Sequence, residues 1–310
     1  MKRRNFLQAT GALLGGSTLL SANAFAGKDK NNKGTIRFAF ISDIHVKPGA
    51  VPEAGMAKAL QHIQQLNPKV DFIINGGDSI MDALEASKEK TQTQFDLYKS
   101  ILQKENKLPV YHTIGNHDIW GWFSKDTSLK DDRLYGKTWV VETLGMPKRY
   151  YRFQKGKWHF IILDSTQQNP AGGYIGKLDE EQLNWLKAEL PAIPKDDFIC
   201  IVSHIPILSI CAGLFFDKNE PNGDLLLKRN LMHSDAIALK KLFRQYPQIK
   251  TALSGHIHLQ DEVEYLGINY YCNGAISGNW WSGAFQEFNP AYAVFELYPD
   301  GSSKRWIMEY

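Results

Sequence analysis

Cysteine is scarce in this chain. Cys200, Cys211 and Cys272 are its three cysteines in 310 residues, and an odd number cannot pair completely within one molecule. A scaffold stapled by disulfides is therefore excluded. Cys200 lies in an apolar run and reads as a small buried hydrophobe; a Cys211–Cys272 bridge stays open, with no dependence on disulfides expected. Internal repeats and low-complexity tracts are absent. Long apolar runs are absent too: a bilayer span needs about 20 residues, and the one extended candidate, Ala9 to Leu20, is shorter and interrupted by Gly11, Gly15 and Gly16. What is present is ordinary globular material, 43% hydrophobic and 22% charged, enough for one large domain or two small ones.

That short apolar run sits behind Met1-Lys2-Arg3-Arg4-Asn5-Phe6-Leu7 and ahead of Ala24-Phe25-Ala26. A basic start, a modest apolar stretch and a small-x-small site make residues 1–26 an export signal, and the paired Arg3-Arg4 resembles a twin-arginine (Tat) signal. The expected partners at this stage are the Tat machinery and signal peptidase, and the expected destination is the periplasm or the outside of the cell. The leader carries Lys2, Arg3 and Arg4 and no acid, so the whole-chain charge of +3 falls to zero over residues 27–310. A neutral mature chain has no global attraction to nucleic acid or anionic membrane. Residues 27–34 are a polar leader, and 35–310 is left for the folded domain.

Within that domain, apolar runs of strand length alternate with helical spacing. Strands are expected at Ile36–Ser42, Asp71–Asn75, Val110–Ile114, Phe198–Ser203, Ile249–Ser254, Ile268–Cys272 and Ala291–Leu297, with hairpins at 150–164 and around Asp300-Gly301. Helices are expected at Glu53–Leu66, Gln92–Gln103, Asp179–Leu190 and Ser234–Tyr246, with Ser234 as N-cap. Continuous apolar strands alternating with amphipathic helices mean an α/β fold whose sheet is covered on both faces, with a second mixed sheet packed on it. In such folds ligands bind beyond the carboxyl ends of the strands.

Those ends carry metal-type side chains. Asp43-Ile44-His45 follows the first strand, Gly76-Gly77-Asp78 the second and Gly115-Asn116-His117-Asp118 the third; His204 and Gly255-His256-Ile257-His258 follow two later strands. One such block is weak, but five in series are specific. In order and rough spacing they resemble the calcineurin-like metallophosphoesterases, over nearly all of the mature chain. The resemblance implies a four-layer α/β/β/α sandwich of two mixed sheets with two metal ions at the sheet edge. The residues themselves divide the same way: Asp43, His45, Asp78 and His258 for one ion, and Asp78 shared with Asn116, His204 and His256 for the other. Nitrogen and oxygen ligands without thiolate suit Fe, Mn, Zn or Co in divalent or trivalent form. Two dications against Asp43 and Asp78, with a hydroxide between them, leave a positive site for a phosphate ester. The resemblance also makes His117 the general acid, with Asp118 expected to orient it.

The substrate side rests on two aromatic segments, Ile119-Trp120-Gly121-Trp122-Phe123 and the Gly-rich stretch ending Asn279-Trp280-Trp281, with Cys211 to Asn230, which carries Leu214-Phe215-Phe216, as a third rim loop. As loops they would wall a pocket beside the ions, with Trp120, Trp122, Asn279, Trp280 and Trp281 as lining residues. The favoured function is a phosphodiesterase or phosphatase acting on a small-molecule or lipid-derived phosphoester. A nuclease of the same fold lacks the basic groove it would need. A non-catalytic binding scaffold would show ligand losses, and the five blocks show none.

Overall fold

The structure, a computed structural model, describes residues 33–310. The signal expected at 1–26 and most of the polar leader lie outside the described residues. Among the described residues no helix is long and apolar enough to cross a membrane.

The first half of the domain runs β1 (Ile36–Ile41), α1 (Ala50–Gln64), β2 (Phe72–Asn75), α2 (Lys88–Glu105), β3 (Val110–His112), α3 (Thr138–Thr143), β4 (Tyr151–Lys155) and β5 (Trp158–Leu163). It continues through β6 (Thr166–Gln168), β7 (Tyr174–Gly176), α4 (Glu180–Glu189), β8 (Phe198–Ser203), α5 (Ala236–Phe243) and β9 (Ile249–Ser254). It ends in β10 (Gln260–Tyr265), β11 (Ile268–Asn273), β12 (Ala291–Leu297) and β13 (Ser303–Glu309). One sheet has the order β13-β12-β1-β2-β3, with β1, β2 and β3 parallel and β12 and β13 antiparallel. The other has the order β10-β11-β9-β8-β5-β4, parallel in its centre and antiparallel at both edges. β6 and β7 form a separate ribbon.

Side chains alternate along a strand, and that alternation builds the layers. In β1, Phe38 and Phe40 enter the core between the two sheets, where they meet Phe72, Ile74, Phe160, Ile162 and Val202. Ala39 and Ile41 face the other way, onto Met56, Leu60 and Ile63 of α1 and Phe95 and Tyr98 of α2. In the second sheet, Ile161, Leu163, Ile199 and Ile201 point outward to Leu186 of α4 and to Leu239 and Phe243 of α5. The result is the four-layer α/β/β/α sandwich. Both faces of the central strands are buried, which is why they read as unbroken apolar runs.

Local chemistry accounts for the boundaries. The Ser87 hydroxyl caps α2 by accepting the Lys90 N–H, and the Asp179 carboxylate caps α4 by accepting the Gln182 N–H. Ser234 does not cap α5 as expected. Its hydroxyl donates to the Gly176 carbonyl, and the helix starts at Ala236 behind Asp235. The Asp235 carboxylate is itself taken by the Leu178 N–H and the His233 ring. β10 escaped the sequence reading because it is an edge strand of mostly polar residues, Gln-Asp-Glu-Val-Glu-Tyr, paired on one side only. All three cysteines are free and buried.

Candidate metal centre

Every sequence-derived metal ligand lies where a strand stops. Asp43 and His45 follow β1, Asp78 follows β2, and Asn116 and His117 form a 3-10 turn after β3. His204 follows β8, and His256 and His258 follow β9. The backbone there is held in an unusual form. Asp43, His45, Asp78, His256 and His258 all have positive φ, between 49° and 73°, a region that side-chain-bearing residues seldom occupy. Such strain persists only when its surroundings enforce it, and it concentrates at functional sites. The enforcement is visible: the N–H groups of Asp43 and His45 donate across to the carbonyls of Gly77 and Asp78, locking the first two blocks together. Gly77 itself has φ 101°. Gly255 serves by close approach instead, since a Cβ there would lie 1.9 Å from the Ser42 hydroxyl and 2.4 Å from Asp43 Oδ2.

The donors converge into overlapping groups: Asp43, His45 and His258; His45, Asp78 and His117; and Asp78, His204 and His256. Asp78 belongs to two of them. Its Oδ2 is 3.2 Å from His204 Nε2 and 3.7 Å from His45 Nε2. Asn116 Oδ1 stands 3.1 Å from His204 Nε2.

The outer nitrogens of three imidazoles show what the inner ones are for. His204 Nδ1 donates to the Gly76 carbonyl at 2.8 Å, His256 Nε2 to the Asn230 carbonyl at 2.7 Å, and His258 Nδ1 to the Gly278 carbonyl. A carbonyl can only accept, so each of those outer nitrogens carries a proton, and the inner nitrogen is the one left to bind a cation in place of its own proton. Two of the inward nitrogens, His204 Nε2 and His256 Nδ1, face one another at 3.2 Å. His258 Nε2 lies 3.1 Å from His45 Nε2. Opposed imidazole nitrogens beside a buried carboxylate are a cage for a cation, and two such places adjoin across Asp78. The oxygen and imidazole donor set fits Fe, Mn, Zn or Co.

Electrostatics agree with that reading. Burial alone would raise the Asp78 carboxyl, but the surrounding imidazoles, His204 foremost, hold it well below the usual carboxylate range. Burial would lower His204, yet Asp78 and then Asp43 push it up to about 9. His256 falls to about 3, first through burial and then through the neighbouring His204. This centre wants positive charge in its middle.

His117 is set apart from the other imidazoles by its 28% side-chain exposure. Its ring meets His45 edge-to-face at 4.8 Å, and its backbone N–H donates to Asp78 Oδ1 at 2.7 Å. The role expected of Asp118 is corrected here. Its carboxylate accepts the N–H groups of Ser79, Ile80 and Gly115, so it ties the second block to the third and does not orient the His117 ring. The carboxylate that faces that ring is Asp82, 4.0 Å from His117 Nδ1 and steadied by the Leu84 N–H. Burial, and then the charge of Asp78, raises Asp118 to about 7.

The aromatic residues separate. Trp120 is fully buried and walls no pocket. Its ring packs edge-to-face on Trp139 at 5.1 Å, and its indole N–H donates to the Ala86 carbonyl. The main-chain bridge between Trp120 and Gly136 pulls it inside. Trp120→Ala is expected to cost about 3–5 kcal/mol of stability, measured as a lower denaturation midpoint with the metal content of the folded protein unchanged. Trp122 lies under the Lys137 ammonium. Trp281 is packed against Gly55 of α1 and donates to the His45 carbonyl. Trp280 alone of these rings lies on the centre, 4.3 Å from the His258 ring and 5.8 Å from His45. Asn279 holds the turn beneath it through the Gly283 carbonyl.

On the other flank is a cavity of about 400 Å³ lined by Phe123, Tyr174, Arg229 and Asn230 among others; Phe123 ends the first aromatic segment and Arg229 and Asn230 end the rim loop expected at 211–230, whereas Tyr174 was not expected there. It adjoins the centre directly, because Asn230 holds His256 and the Tyr174 ring stands edge-on to His256 at 6.0 Å. Tyr174 comes from a short ribbon with no periodic signal, so only the fold reveals it, and the individual role of Arg229 within its rim loop likewise appears only in the fold.

Two adjoining cation cages at the strand ends of a four-layer sandwich define a hydrolase of the two-metal class. The chain belongs to the calcineurin-like phosphoesterases, whose family model matches residues 36–260, and it is a metal-dependent phosphoric ester hydrolase. It is 28% identical over 284 residues to a 3′,5′-cyclic-nucleotide phosphodiesterase of Nostoc sp., a match covering 88% of this chain and 91% of that one. It is 25% identical over 222 residues to the serine/threonine-protein phosphatase CPPED1 of Homo sapiens, covering 71% of this chain and 63% of that protein. A dimetal phosphatase from Danio rerio shares the fold, with a TM-score of 0.57 at 14% identity over 89% of this chain and 99% of that one.

Proposed function

We propose that this protein is a phosphodiesterase of small phosphodiesters, with 3′,5′-cyclic nucleotides as the leading substrate class. The observation that carries the reading is the partly exposed His117 beside an otherwise buried set of imidazoles. A phosphodiester is cleaved by adding water at phosphorus and expelling an alkoxide, and a poor alkoxide needs a proton as it leaves. His117 stands at the rim, its backbone bonded to Asp78, in position to give that proton. The near full-length likeness to a cyclic-nucleotide phosphodiesterase supports a diester over a monoester.

Asp43, His45, Asp78 and His258 would hold one ion, and Asp78, Asn116, His204 and His256 the other. When bound, the pair supplies Lewis acidity at the phosphoryl oxygens and activated water at neutral pH. The protein's own residues do the rest. The carbonyls of Gly76, Asn230 and Gly278 fix the imidazole tautomers, the Asp118 carboxylate fixes the spacing of the loops, and Trp280 shields the His258 side from water.

The test is steady-state kinetics of metal-loaded protein on cyclic AMP, cyclic GMP, a glycerophosphodiester and p-nitrophenyl phosphate. The cyclic nucleotides should exceed the monoester by roughly 10-fold or more in kcat/KM. A clear preference for the monoester or for the glycerophosphodiester would replace this reading.

The site of action is proposed from residues 1–26: export by the Tat route in the folded state, to the periplasm or beyond. Arg3→Lys together with Arg4→Lys should keep the protein in the cytoplasm with its leader uncleaved, as read by fractionation and mass. Equal export of that variant would remove the twin-arginine assignment.

A further inference from the structure

The cavity beside His256 differs in chemistry from the rest of the site. Phe123 and Tyr174 both line it, their rings stacked 17° apart with centroids at 6.1 Å, so one wall of the cavity is aromatic. Tyr174 is fixed on one side by His256, whose ring stands edge-on to it at 6.0 Å. Just before Tyr174 the ribbon turns through Gly172 and Gly173, which also line the cavity and are both at positive φ. A Cβ on Gly172 would meet nothing within 4 Å, and one on Gly173 only the tip of the Phe123 ring, at 4.0 Å. The open space is therefore kept by the absence of side chains.

Arg229 lines the same space. Its carbonyl accepts the Gly176 N–H at 2.7 Å, which anchors its backbone to the ribbon. Its guanidinium makes no hydrogen bond or ion pair with any other described residue, whereas the neighbouring cations Lys137 and Arg149 are both taken up by Asp164. An uncommitted guanidinium in the same cavity as two aromatic rings is matched to a flat heteroaromatic ring with acceptors on its rim. It is mismatched to an acyl chain, which would bury it without a partner. The volume of about 400 Å³ lies in the range of small-molecule pockets.

We propose that this cavity is a nucleobase pocket, in which the base packs against the aromatic wall of Phe123 and Tyr174 and Arg229 reads its edge, favouring guanine over adenine. This rests on the cyclic-nucleotide reading above and names its specificity. Guanine offers two acceptors, O6 and N7, to the two parallel N–H groups of a guanidinium. Adenine offers N7 beside an N6 donor, which opposes the second N–H. The base reaches the pocket from a phosphate at the metal centre because the two adjoin through Asn230 and His256.

The experiment has a kinetic arm and a binding arm. In the first, kcat/KM for cyclic GMP should exceed that for cyclic AMP by about 5- to 100-fold. Arg229→Ala should erase the ratio, and Arg229→Lys should retain some cyclic GMP activity while losing the discrimination, since an ammonium lacks the fork. Phe123→Ala should raise KM for both nucleotides by about 10-fold and leave their ratio alone. In the second arm, guanosine, adenosine and inorganic phosphate are titrated calorimetrically into the intact protein. Guanosine has no phosphate, so its binding reads the pocket alone. It should bind more tightly than adenosine, and Arg229→Ala should remove the difference.

Equal rates for the two cyclic purines with no preference for guanosine would overturn the pocket while leaving the phosphodiesterase reading intact. Arg229-dependent guanosine binding without cyclic-nucleotide hydrolysis would uphold the pocket and sink the substrate reading. If Arg229→Ala weakens inorganic phosphate but not guanosine, Arg229 is an anion contact and the base assignment is wrong. Arg229 is exposed, so its substitution should not unfold the chain.

Discussion

Asp78→Ala is expected to empty both cation sites and lower kcat/KM by about 10⁴-fold or more, equivalent to about 5.5 kcal/mol of transition-state stabilisation. Asp78 is the carboxylate common to two of the donor groups. One oxygen faces His204 and His45, and the other holds the His117 backbone. Its removal takes charge from both cages and frees the turn that carries Asn116. Asp43→Ala is the comparison. Asp43 belongs to one donor group, so that variant should keep part of its metal. The measurement is metal content per chain by mass spectrometry, alongside activity. Two full equivalents retained by Asp78→Ala would show that the cages do not share this residue, and the two-ion reading would fail with it. A thermal scan adds a second readout: ions that bind only the folded state raise the melting temperature, so a chelator should lower it in the parent protein and change it little in Asp78→Ala.

The legible parts of this molecule were those whose physics is written locally. β8, β9 and β12 were found to the residue because a strand buried on both faces has no polar interruption until it reaches the loop. The metal-type residues were legible because they come immediately afterwards. What stayed hidden depends on partners distant in the chain. Nothing in the sequence says that the carbonyls of Gly76, Asn230 and Gly278 will each take an imidazole proton. The Asp118 carboxylate looked like a partner for its neighbour His117, but the 3-10 turn points it back to the amides of Gly115, Ser79 and Ile80. Trp120 and Trp280 each sit in an aromatic segment beside a glycine. One is drawn into the core by a bridge to Gly136 and the other is laid on His258, and only the fold separates them. The loop that carries Arg229 was legible as a rim segment but not which of its residues would face the centre, and Tyr174 gave no signal because a three-residue strand carries no periodicity.

His117→Ala should keep its metal and still lose about 10²–10⁴-fold in kcat on a substrate with an alkoxide leaving group. Metal should survive because the loop is held by its main chain, which the substitution leaves in place. The His117 N–H bonds to Asp78, and its carbonyl accepts the Ala83 N–H at 2.8 Å. The rate should fall because the ring is the exposed donor next to the cages. A leaving-group series separates the roles. If His117 delivers the proton, the loss should shrink toward unity with aryl phosphodiesters, whose phenolates depart without help. If it serves only to hold a phosphoryl oxygen, the loss should be the same for both classes. Asp82→Asn should follow the same leaving-group pattern at smaller amplitude, since Asp82 acts through the His117 ring from 4.0 Å. Asp118→Ala should behave in the opposite way, with reduced stability and reduced metal content, because it strands three backbone N–H groups in the interior. Loss of metal in His117→Ala would make that residue a ligand and return the search for the acid to the rim of the site.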